Sequence, residues 1–488
     1  MRKAIAIARA CCVLFILALP AAGAGEGLSK QEALARRIDS ILAQADADQC
    51  EWAVEVVSLE TGETLYERNA DLLLVPASNM KLFATAAALY YLGPDFTVKT
   101  SLYLDGRLDG DGVLHGDLVM YGRGDPNISG RFTDKPTGIF EQMVMSLQSL
   151  GLHEVRGDVV GDDSYFDSQY YGPWPRDESY KWYAARVSAL SFNDNCVDIY
   201  VRPGPSQGSK PEVVHSPRTS YVRVINKAST TNHRGNSVWL SPAANGSTIL
   251  VGGKIWTKKK EETLWFPVDL PALYAATVFA ETLQEHGIRV SGKARGLGTN
   301  HKSVVPRGAV PVVEHESLPL SEMIKVVNKR SQNLHAELIL KQIGLRTGAG
   351  PTFDGGSRAV HDFVRWAGIP PESVIIYDGS GLCRMNRASA HSMVELLKFM
   401  HESEWRDSFR DSLAVVGADD SLRIMAKTVP AERVAGKTGS LKKVLAFSGY
   451  AEGESGRLAF SIIVNGFSED SSRIRQARDR LCRELVRY

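Results

Sequence analysis

The spacing of apolar side chains near the start of the chain predicts a helix followed by a pair of strands. In residues 28–46 the apolar positions recur every three or four residues and fall on one helix face: Leu34, Ile38, Ile41 and Leu42. Residues 52–59 and 64–67 are rich in strand-forming side chains, and the short polar segment between them contains a glycine. This pattern predicts a strand, a turn and a second strand.

A strongly apolar segment follows at 82–92, where nearly every residue is Ala, Leu, Phe or Tyr. A Gly-Pro pair ends it, so we predict a helix that is buried on most of its surface. Ser78 and Lys81 stand at its start, three positions apart, and would share one face with roughly 5–6 Å between their Cβ atoms. A hydroxyl and an amine held together beside the free N–H groups of a helix N-terminus form a candidate activated nucleophile.

The middle of the chain has a different pattern. From about residue 98 to residue 313, short strands alternate with Gly- and Asp-containing turns, and the predicted strands are 98–104, 113–121, 158–161, 197–201, 221–225 and 237–240. The last part of the chain again combines helices and strands, like the first part. The predicted helices are 320–328, 333–345 and 471–488, and the predicted strands are 435–439, 444–451 and 457–464.

The fold class follows from this division. Because the two ends share helices and antiparallel strands, we expect one α/β (α+β) domain made from residues 25–97 and 314–488. Residues 98–313 are then a β-rich insert that follows the buried helix. The chain of 488 residues is long enough for two or three domains.

The first 24 residues resemble a secretory signal. Arg2, Lys3 and Arg9 precede a short apolar run, and an Ala-Gly-Ala sequence ends at Ala24, after which we predict cleavage and export to the periplasm. An uncleaved membrane tether, with weak membrane association, is the alternative. Loss of the three basic residues would change the formal charge from +1 to −2, which gives no electrostatic basis for nucleic-acid binding.

Four cysteines would remain after cleavage: Cys50, Cys196, Cys383 and Cys482. They lie far apart with no C-x-x-C pair, so neither a zinc site nor a thioredoxin-type site is expected. An exported protein can form disulfides, and four cysteines allow three complete pairings, among which the sequence does not choose.

Three short motifs occur in chain order. The first is Ser78-x-x-Lys81, a pattern that also occurs at Ser440/Lys443 and is weak alone. The second is Ser331-Gln332-Asn333, between two predicted helices, and the third is Lys437-Thr438-Gly439, at the end of a predicted strand. Together they form the set S-x-x-K, S-x-N and K-T-G of penicillin-binding proteins and class A β-lactamases.

With these motifs, the chain resembles the D-alanyl-D-alanine carboxypeptidase/endopeptidase family, the class C low-molecular-mass penicillin-binding proteins. The resemblance extends to the segments 122–126, 174–195 and 378–384. It implies a serine β-lactamase/transpeptidase-like domain that carries an insert of two small subdomains. Two positions depart from the family pattern: Gln332 stands where Asp is common, and Cys383 stands where Ser is frequent.

The resemblance also implies a mechanism. Ser78 would attack the carbonyl of the penultimate D-alanine of a peptidoglycan stem peptide, with Lys81 as the preferred base. The pKa of Lys81 would be lowered by burial and by the nearby Lys437. Ser331 would relay a proton to the leaving amine.

The remaining roles in this mechanism concern substrate binding. Asn333 would orient Lys81 and the substrate amide, and Lys437 and Thr438 would hold the terminal carboxylate. Next to Gly439, the N–H of Ser440 would complete an oxyanion hole with the N–H of Ser78. No metal or cofactor is expected, and β-lactam antibiotics would act as covalent inhibitors.

Two alternatives remain. A β-lactamase would use the same motifs, but its first two motifs lie much closer together than the 253 positions between Ser78 and Ser331. A non-catalytic cell-wall binding protein would not need the intact serine, lysines and Asn333. The sequence does not decide between removal of a terminal D-alanine and cleavage of a cross-link.

Overall fold

The computed structural model describes residues 28–45, 50–243, 247–297, 301–305, 307–468 and 470–488. The predicted signal segment, 1–24, lies outside these residues. The described part of the chain forms the helices α1 (Lys30–Gln44), α2 (Met80–Leu92), α3 (Gly138–Ser149), α4 (Pro271–Glu285), α5 (Leu320–Lys329), α6 (Asn333–Arg346), α7 (Phe353–Trp366), α8 (Ala390–Glu402), α9 (Arg406–Asp411) and α10 (Ser472–Val486).

The strands of the described residues fall into several sheets. Their bounds are β1 (Glu51–Ser58), β2 (Thr64–Arg68), β3 (Lys99–Leu108), β4 (Val113–Gly122), β5 (Glu154–Val155), β6 (Val159–Asp162), β7 (Cys196–Arg202), β8 (Glu212–Ser216), β9 (Arg223–Asn226), β10 (Ser229–Thr231), β11 (Trp239–Pro242), β12 (Thr248–Gly252), β13 (Lys254–Trp256), β14 (Glu262–Pro267), β15 (Arg289–Val290), β16 (Ala294–Gly296), β17 (Val313–Glu316), β18 (Val374–Ile375), β19 (Arg387–Ala388), β20 (Ala414–Val415), β21 (Val434–Leu441), β22 (Val444–Gly453) and β23 (Gly456–Asn465).

One antiparallel sheet joins the two ends of the chain. Its strand order is β2-β1-β23-β22-β21-β20, so the N-terminal strand β1 lies between its hairpin partner β2 and the C-terminal strand β23. Strands β22 and β23 form the predicted hairpin, paired as far as Gly453 and Gly456. The sheet confirms the expected mixture of helices and antiparallel strands.

Helices cover both faces of this sheet. Alternate side chains of a strand point to opposite sides, and in β1 both sets are apolar, so each face needs a partner to pack against. On one face, Trp52, Val54 and Val56 pack with α1 and α10 in a single apolar cluster. On the other face, Ala53 and Val57 belong to a cluster with α2, α5, α6, α7 and α8. The helix α2 lies inside this second cluster and is buried from Met80 to Leu89, as its composition predicts.

The middle of the chain builds smaller sheets around a separate apolar cluster. Strands β3 and β4 form the centre of a seven-stranded sheet, and two three-stranded sheets and one parallel pair complete the region. The description of this region as strands and turns is incomplete, because α3 and α4 also lie there. Both helices bury apolar faces in this cluster, through side chains such as Phe140 and Phe279.

Among the described residues, each helix is too short or too polar to cross a bilayer.

Candidate active site

Ser78 lies in a short 3₁₀ turn, Ala77–Asn79, that runs directly into α2. Two glycines make the close packing around this turn possible. A Cβ atom on Gly381 would lie 1.8 Å from the carbonyl oxygen of Ala77, and one on Gly439 would lie 3.1 Å from the nitrogen of Ser78. Ala77 itself has a φ of +47°, a left-handed conformation that is unfavourable for any residue with a side chain. The surroundings therefore hold Ser78 in one position.

Lys81 is fully buried beside Ser78. Its Nζ donates to Ser78 Oγ at 3.0 Å, to Asn333 Oδ1 at 2.6 Å and to the carbonyl oxygen of Ser380 at 2.6 Å. Three acceptors match the three donors of an ammonium group. When Lys81 is neutral, its lone pair can instead accept the Ser78 proton over the same short distance.

Burial has the largest effect on the charge of Lys81 and lowers its pKa to about 7, while the negative charges of Glu337 and Asp378 oppose this shift. We also expected Lys437 to lower this pKa. The structure instead shows the effect on Lys437, whose pKa is lowered far below its ordinary value by burial and then by the charge of Lys81. A buried lysine with a pKa near 7 can serve as a base at neutral pH.

Beneath Lys81, two buried carboxylates hold the loop that supplies the Ser380 carbonyl. Glu337 accepts the N–H groups of Gly379 and Ser380, at 3.0 and 2.9 Å. Asp378 accepts the N–H groups of Gly381 and Cys383 at 2.8 and 2.6 Å. Burial and the neighbouring Asp378 raise the pKa of Glu337, and burial also raises the pKa of Asp378.

Sequence reasoning missed Glu337. A signal was present, because Glu337 is four positions after Asn333 and shares its face of α6. The role of Glu337 depends on its hydrogen bonds to the loop around Ser380, more than forty positions later, so the pattern of α6 alone could not reveal this role.

A second lysine–serine pair lies across the cleft. Lys437 Nζ donates to Ser331 Oγ at 2.9 Å and to the carbonyl oxygen of Thr438 at 2.7 Å. Ser331, between α5 and α6, has a φ of +59°. Strand β20 pairs with Ala435 and Gly436 only, so β21 from Lys437 onward presents its edge to the cleft.

The cleft between these groups has a volume of about 550 Å³. The residues that line it come from several distant segments of the chain: Ser78, Pro175, Glu178, Trp182, Tyr183, Ser331, Asn333, Gly381, Leu382, Arg384, Ser440, Leu441 and Lys442. The middle of the chain contributes one wall, and the carbonyl oxygen of Tyr183 accepts Asn333 Nδ2 at 2.8 Å. Of the predicted residues, Ser78, Ser331, Asn333 and Ser440 line this cleft, and the buried Lys81 and Lys437 donate hydrogen bonds to Ser78 and Ser331.

Three of the remaining cysteines, Cys196, Cys383 and Cys482, are buried thiols. Cys383 lies in the loop beneath Lys81, where burial raises its pKa to about 11. A thiol in this state is neutral at pH 7 and is a poor nucleophile.

The chain is similar in sequence and in fold to several known proteins. The D-alanyl-D-alanine carboxypeptidase of Actinomadura sp. (strain R39) is 34% identical over 449 residues, which cover 88% of this chain and 80% of that protein. The crystal structure of penicillin binding protein 4 from Haemophilus influenzae has a TM-score of 0.78 at 23% identity and covers 92% of this chain and 99% of that one. The same protein complexed with a β-lactam has a TM-score of 0.73.

The family model described as D-Ala-D-Ala carboxypeptidase 3 (S13) matches residues 34–485. This match includes the 3₁₀ turn with Ser78, the loop with Ser331 and the strand with Lys437. The chain therefore belongs to the D-Ala-D-Ala carboxypeptidase 3 (S13) family.

Proposed function

We propose that this protein is a serine-type DD-peptidase that hydrolyses peptidoglycan stem peptides ending in D-Ala-D-Ala through an acyl-enzyme on Ser78. The observation that carries the proposal is the fully buried Lys81, whose Nζ lies 3.0 Å from Ser78 Oγ. A lysine placed in this way activates a serine hydroxyl without a histidine. Family membership and the D-alanyl-D-alanine carboxypeptidase from Actinomadura support the same substrate class.

In the proposed reaction, neutral Lys81 accepts the proton of Ser78 as Oγ attacks the carbonyl carbon of the penultimate D-alanine. The oxyanion would be stabilised by the N–H groups of Ser78 and Ser440. Gly439 allows β21 to approach Ser78 closely enough for this arrangement.

The departing amine receives its proton through Ser331, which lies at hydrogen-bond distance from Lys437. Lys437 and Thr438 bind the substrate's terminal carboxylate. Asn333 accepts a hydrogen bond from Lys81 and orients both this lysine and the substrate amide. Water then hydrolyses the ester and releases the shortened peptide. A β-lactam would enter the same cleft, acylate Ser78 and leave slowly.

We also propose export through the segment 1–24 and action in the periplasm. The catalytic domain would comprise residues 25–97 and 314–488, and residues 98–313 would be an insert. The support for this division is that both ends supply strands to one sheet, whereas the middle has its own apolar cluster.

Labelled penicillin tests the proposal. We expect stoichiometric label on wild-type protein, with the modified peptide containing Ser78, and no label on Ser78→Ala. The matched control is Ser146→Ala on α3, an exposed serine outside the cleft that should leave labelling unchanged. Label at Ser440, or no label at all, would contradict the assignment, and rapid turnover of a chromogenic cephalosporin would favour a β-lactamase.

A further inference from the structure

One segment from the middle of the chain forms much of the wall of the catalytic cleft and belongs to none of the sheets. We call this segment, residues 167–183, the strap. Its regular structure consists of two short 3₁₀ turns that begin at Arg176 and Trp182. Four of its residues line the cleft: Pro175, Glu178, Trp182 and Tyr183. Contacts with other elements must therefore set the position of this wall.

Helix α6 holds the strap at both of its ends. At the end of the strap, Asn333 Nδ2 donates to the carbonyl oxygen of Tyr183 at 2.8 Å. At its start, Lys341 Nζ donates to Asp167 Oδ1 and, at 3.0 Å, to the carbonyl oxygen of Gln169. Asn333 and Lys341 are eight positions apart, which is roughly 12 Å along a helix axis. The helix that places Asn333 beside Lys81 therefore also holds the wall of the cleft.

Lys341 is an unusual anchor, because its side chain is fully buried. Burial lowers the pKa of Lys341, and the negative charge of Asp167 opposes this shift. The amine also lies over the ring of Phe353, the first residue of α7, at 4.5 Å from the ring centre. Trp174 of the strap packs edge-on against the same ring, with the ring centres 5.8 Å apart. Phe353 therefore contacts both the lysine and the strap.

Stability alone does not account for a buried lysine at this position. Taking both charges of an ion pair out of water costs about as much free energy as their attraction returns, and an apolar side chain would fill the same space without that cost. The ion pair does provide a fixed geometry, because the ammonium group needs the acceptors of Asp167 and Gln169 beside α6. The pair thus favours one position of the strap over the others that apolar packing would allow.

We propose that Lys341 is a positioning residue, which holds the strap where it can bind the stem peptide. This inference rests on the proposed function. The residues of the stem peptide that precede the penultimate D-alanine must lie between β21 and the strap, because Leu441 of β21 and Glu178 of the strap line the same cleft. A small β-lactam needs only the groups around Ser78. Loosening the strap should therefore weaken the binding of a long substrate and leave the acylation of Ser78 intact.

The experiment compares two compounds that acylate Ser78: a stem pentapeptide that ends in D-Ala-D-Ala, and 6-aminopenicillanic acid, a β-lactam without an acyl side chain. In Lys341→Met we expect kcat/KM for the pentapeptide to fall about tenfold or more, mainly through KM, and the rate constant of acylation by the β-lactam to change less than about threefold. Asp167→Asn keeps an acceptor for the lysine, so it should change the ratio of the two rate constants in the same direction by a smaller factor. The double variant should be no worse than Lys341→Met, because both substitutions act on one interaction. The matched control is Lys398→Met, a lysine on the surface of α8, for which we expect no change.

Trypsin gives a second measurement that does not depend on activity. Arg176 and Lys181 lie within the strap, so trypsin should cut after these residues faster in Lys341→Met than in wild type. The rest of the folded protein should stay as resistant as before, which distinguishes a loosened strap from global unfolding.

Labelling of Ser78 by penicillin separates the two proposals. If the wild-type protein is neither labelled nor active on the pentapeptide, the proposed function itself fails. If the wild type is labelled and active, but Lys341→Met and Asp167→Asn leave the ratio of the two rate constants unchanged, the inference alone is overturned. An equal loss for both compounds would also overturn it, since Lys341 would then act on Ser78 and not on the strap. If Lys341→Met does not fold, Asp167→Asn decides, because Asp167 is partly exposed and its replacement leaves the core filled.

Discussion

Buried charges serve different purposes in two regions of this molecule. Around Ser78, burial moves Lys81 and Glu337 toward their neutral forms, with pKa values of about 7 and about 8. In the middle of the chain, buried Asp194 instead lies between Arg131 and His335, and these partners hold its pKa below the ordinary value. The first arrangement keeps protons exchangeable near neutral pH, and the second keeps a charge fixed. The contrast is what we expect if the ionisable groups of the cleft serve chemistry and Asp194 serves structure.

The strongest test of this contrast is Lys81→Met, which removes the amine and keeps most of the side-chain volume. We expect the rate of acylation by penicillin to fall by about a thousandfold or more, because the hydroxyl loses its base. The folded-state pKa of Lys81 lies below its unfolded value. Burial of this lysine therefore lowers the free energy of unfolding by its full amount below about pH 7, where the lysine is charged in both states. The penalty becomes smaller as the pH rises toward 10.5.

Thermal unfolding at several pH values checks the second half of this prediction. Lys81→Met should unfold at the same or a higher temperature than wild type at pH 6, and its advantage should shrink at pH 9. A variant that is much less stable than wild type at pH 6 would show that the buried ammonium contributes to folding.

The opposite result is expected for Asp194→Asn. Loss of the negative charge leaves the half-buried Arg131 without its charged partner, which costs about 1–3 kcal/mol of unfolding free energy. Asn tolerates the left-handed backbone at this position, where φ is +55°, so the change tests the charge alone. Denaturant unfolding measures the cost. Folded Asp194→Asn protein should still be acylated at Ser78 at nearly the wild-type rate, and loss of acylation from folded protein would contradict the division between the two regions.

The smallest expected effect is a shift in the pH profile of Glu337→Gln. Burial raises the pKa of Glu337 to about 8, so only a small fraction of the protein carries this negative charge near pH 7, where the charge raises the pKa of Lys81. Removal of the carboxyl group should therefore lower the pKa of Lys81 only slightly and move the acidic limb of the acylation profile to lower pH by about 0.3 pH units at most. Glu395→Gln on the surface of α8 is the matched control. A shift of about one pH unit or more would mean that Glu337 is ionised in this range.

Local patterns in the sequence predict much of this fold, and pairings between distant segments account for what they miss. The four apolar residues of α1 are the four that the structure buries, because a helix face can be identified from spacing alone. The three motifs likewise needed no structure to be found.

Two kinds of feature could not be read in this way. Helices α3 and α4 stand among strands and turns, where short apolar runs are ambiguous. The left-handed backbone of Ala77 accompanies close packing against Gly381, far along the chain, and does not follow from local preference. The hydrogen bonds of Glu337 depend in the same way on a loop that lies close to it only in the folded chain.

The order of strands in the six-stranded sheet has a consequence for how the protein comes into being. Strand β1 needs β23 as its neighbour, and Ser78 needs β21 beside it, yet both partners are made only after more than 430 residues have been synthesised. A growing polypeptide that still lacks its C-terminal part thus has Ser78 but not the strand with Lys437 beside it. The complete cleft can form only after β21 has been synthesised, so we expect a truncated chain to be inactive and not to react with β-lactams.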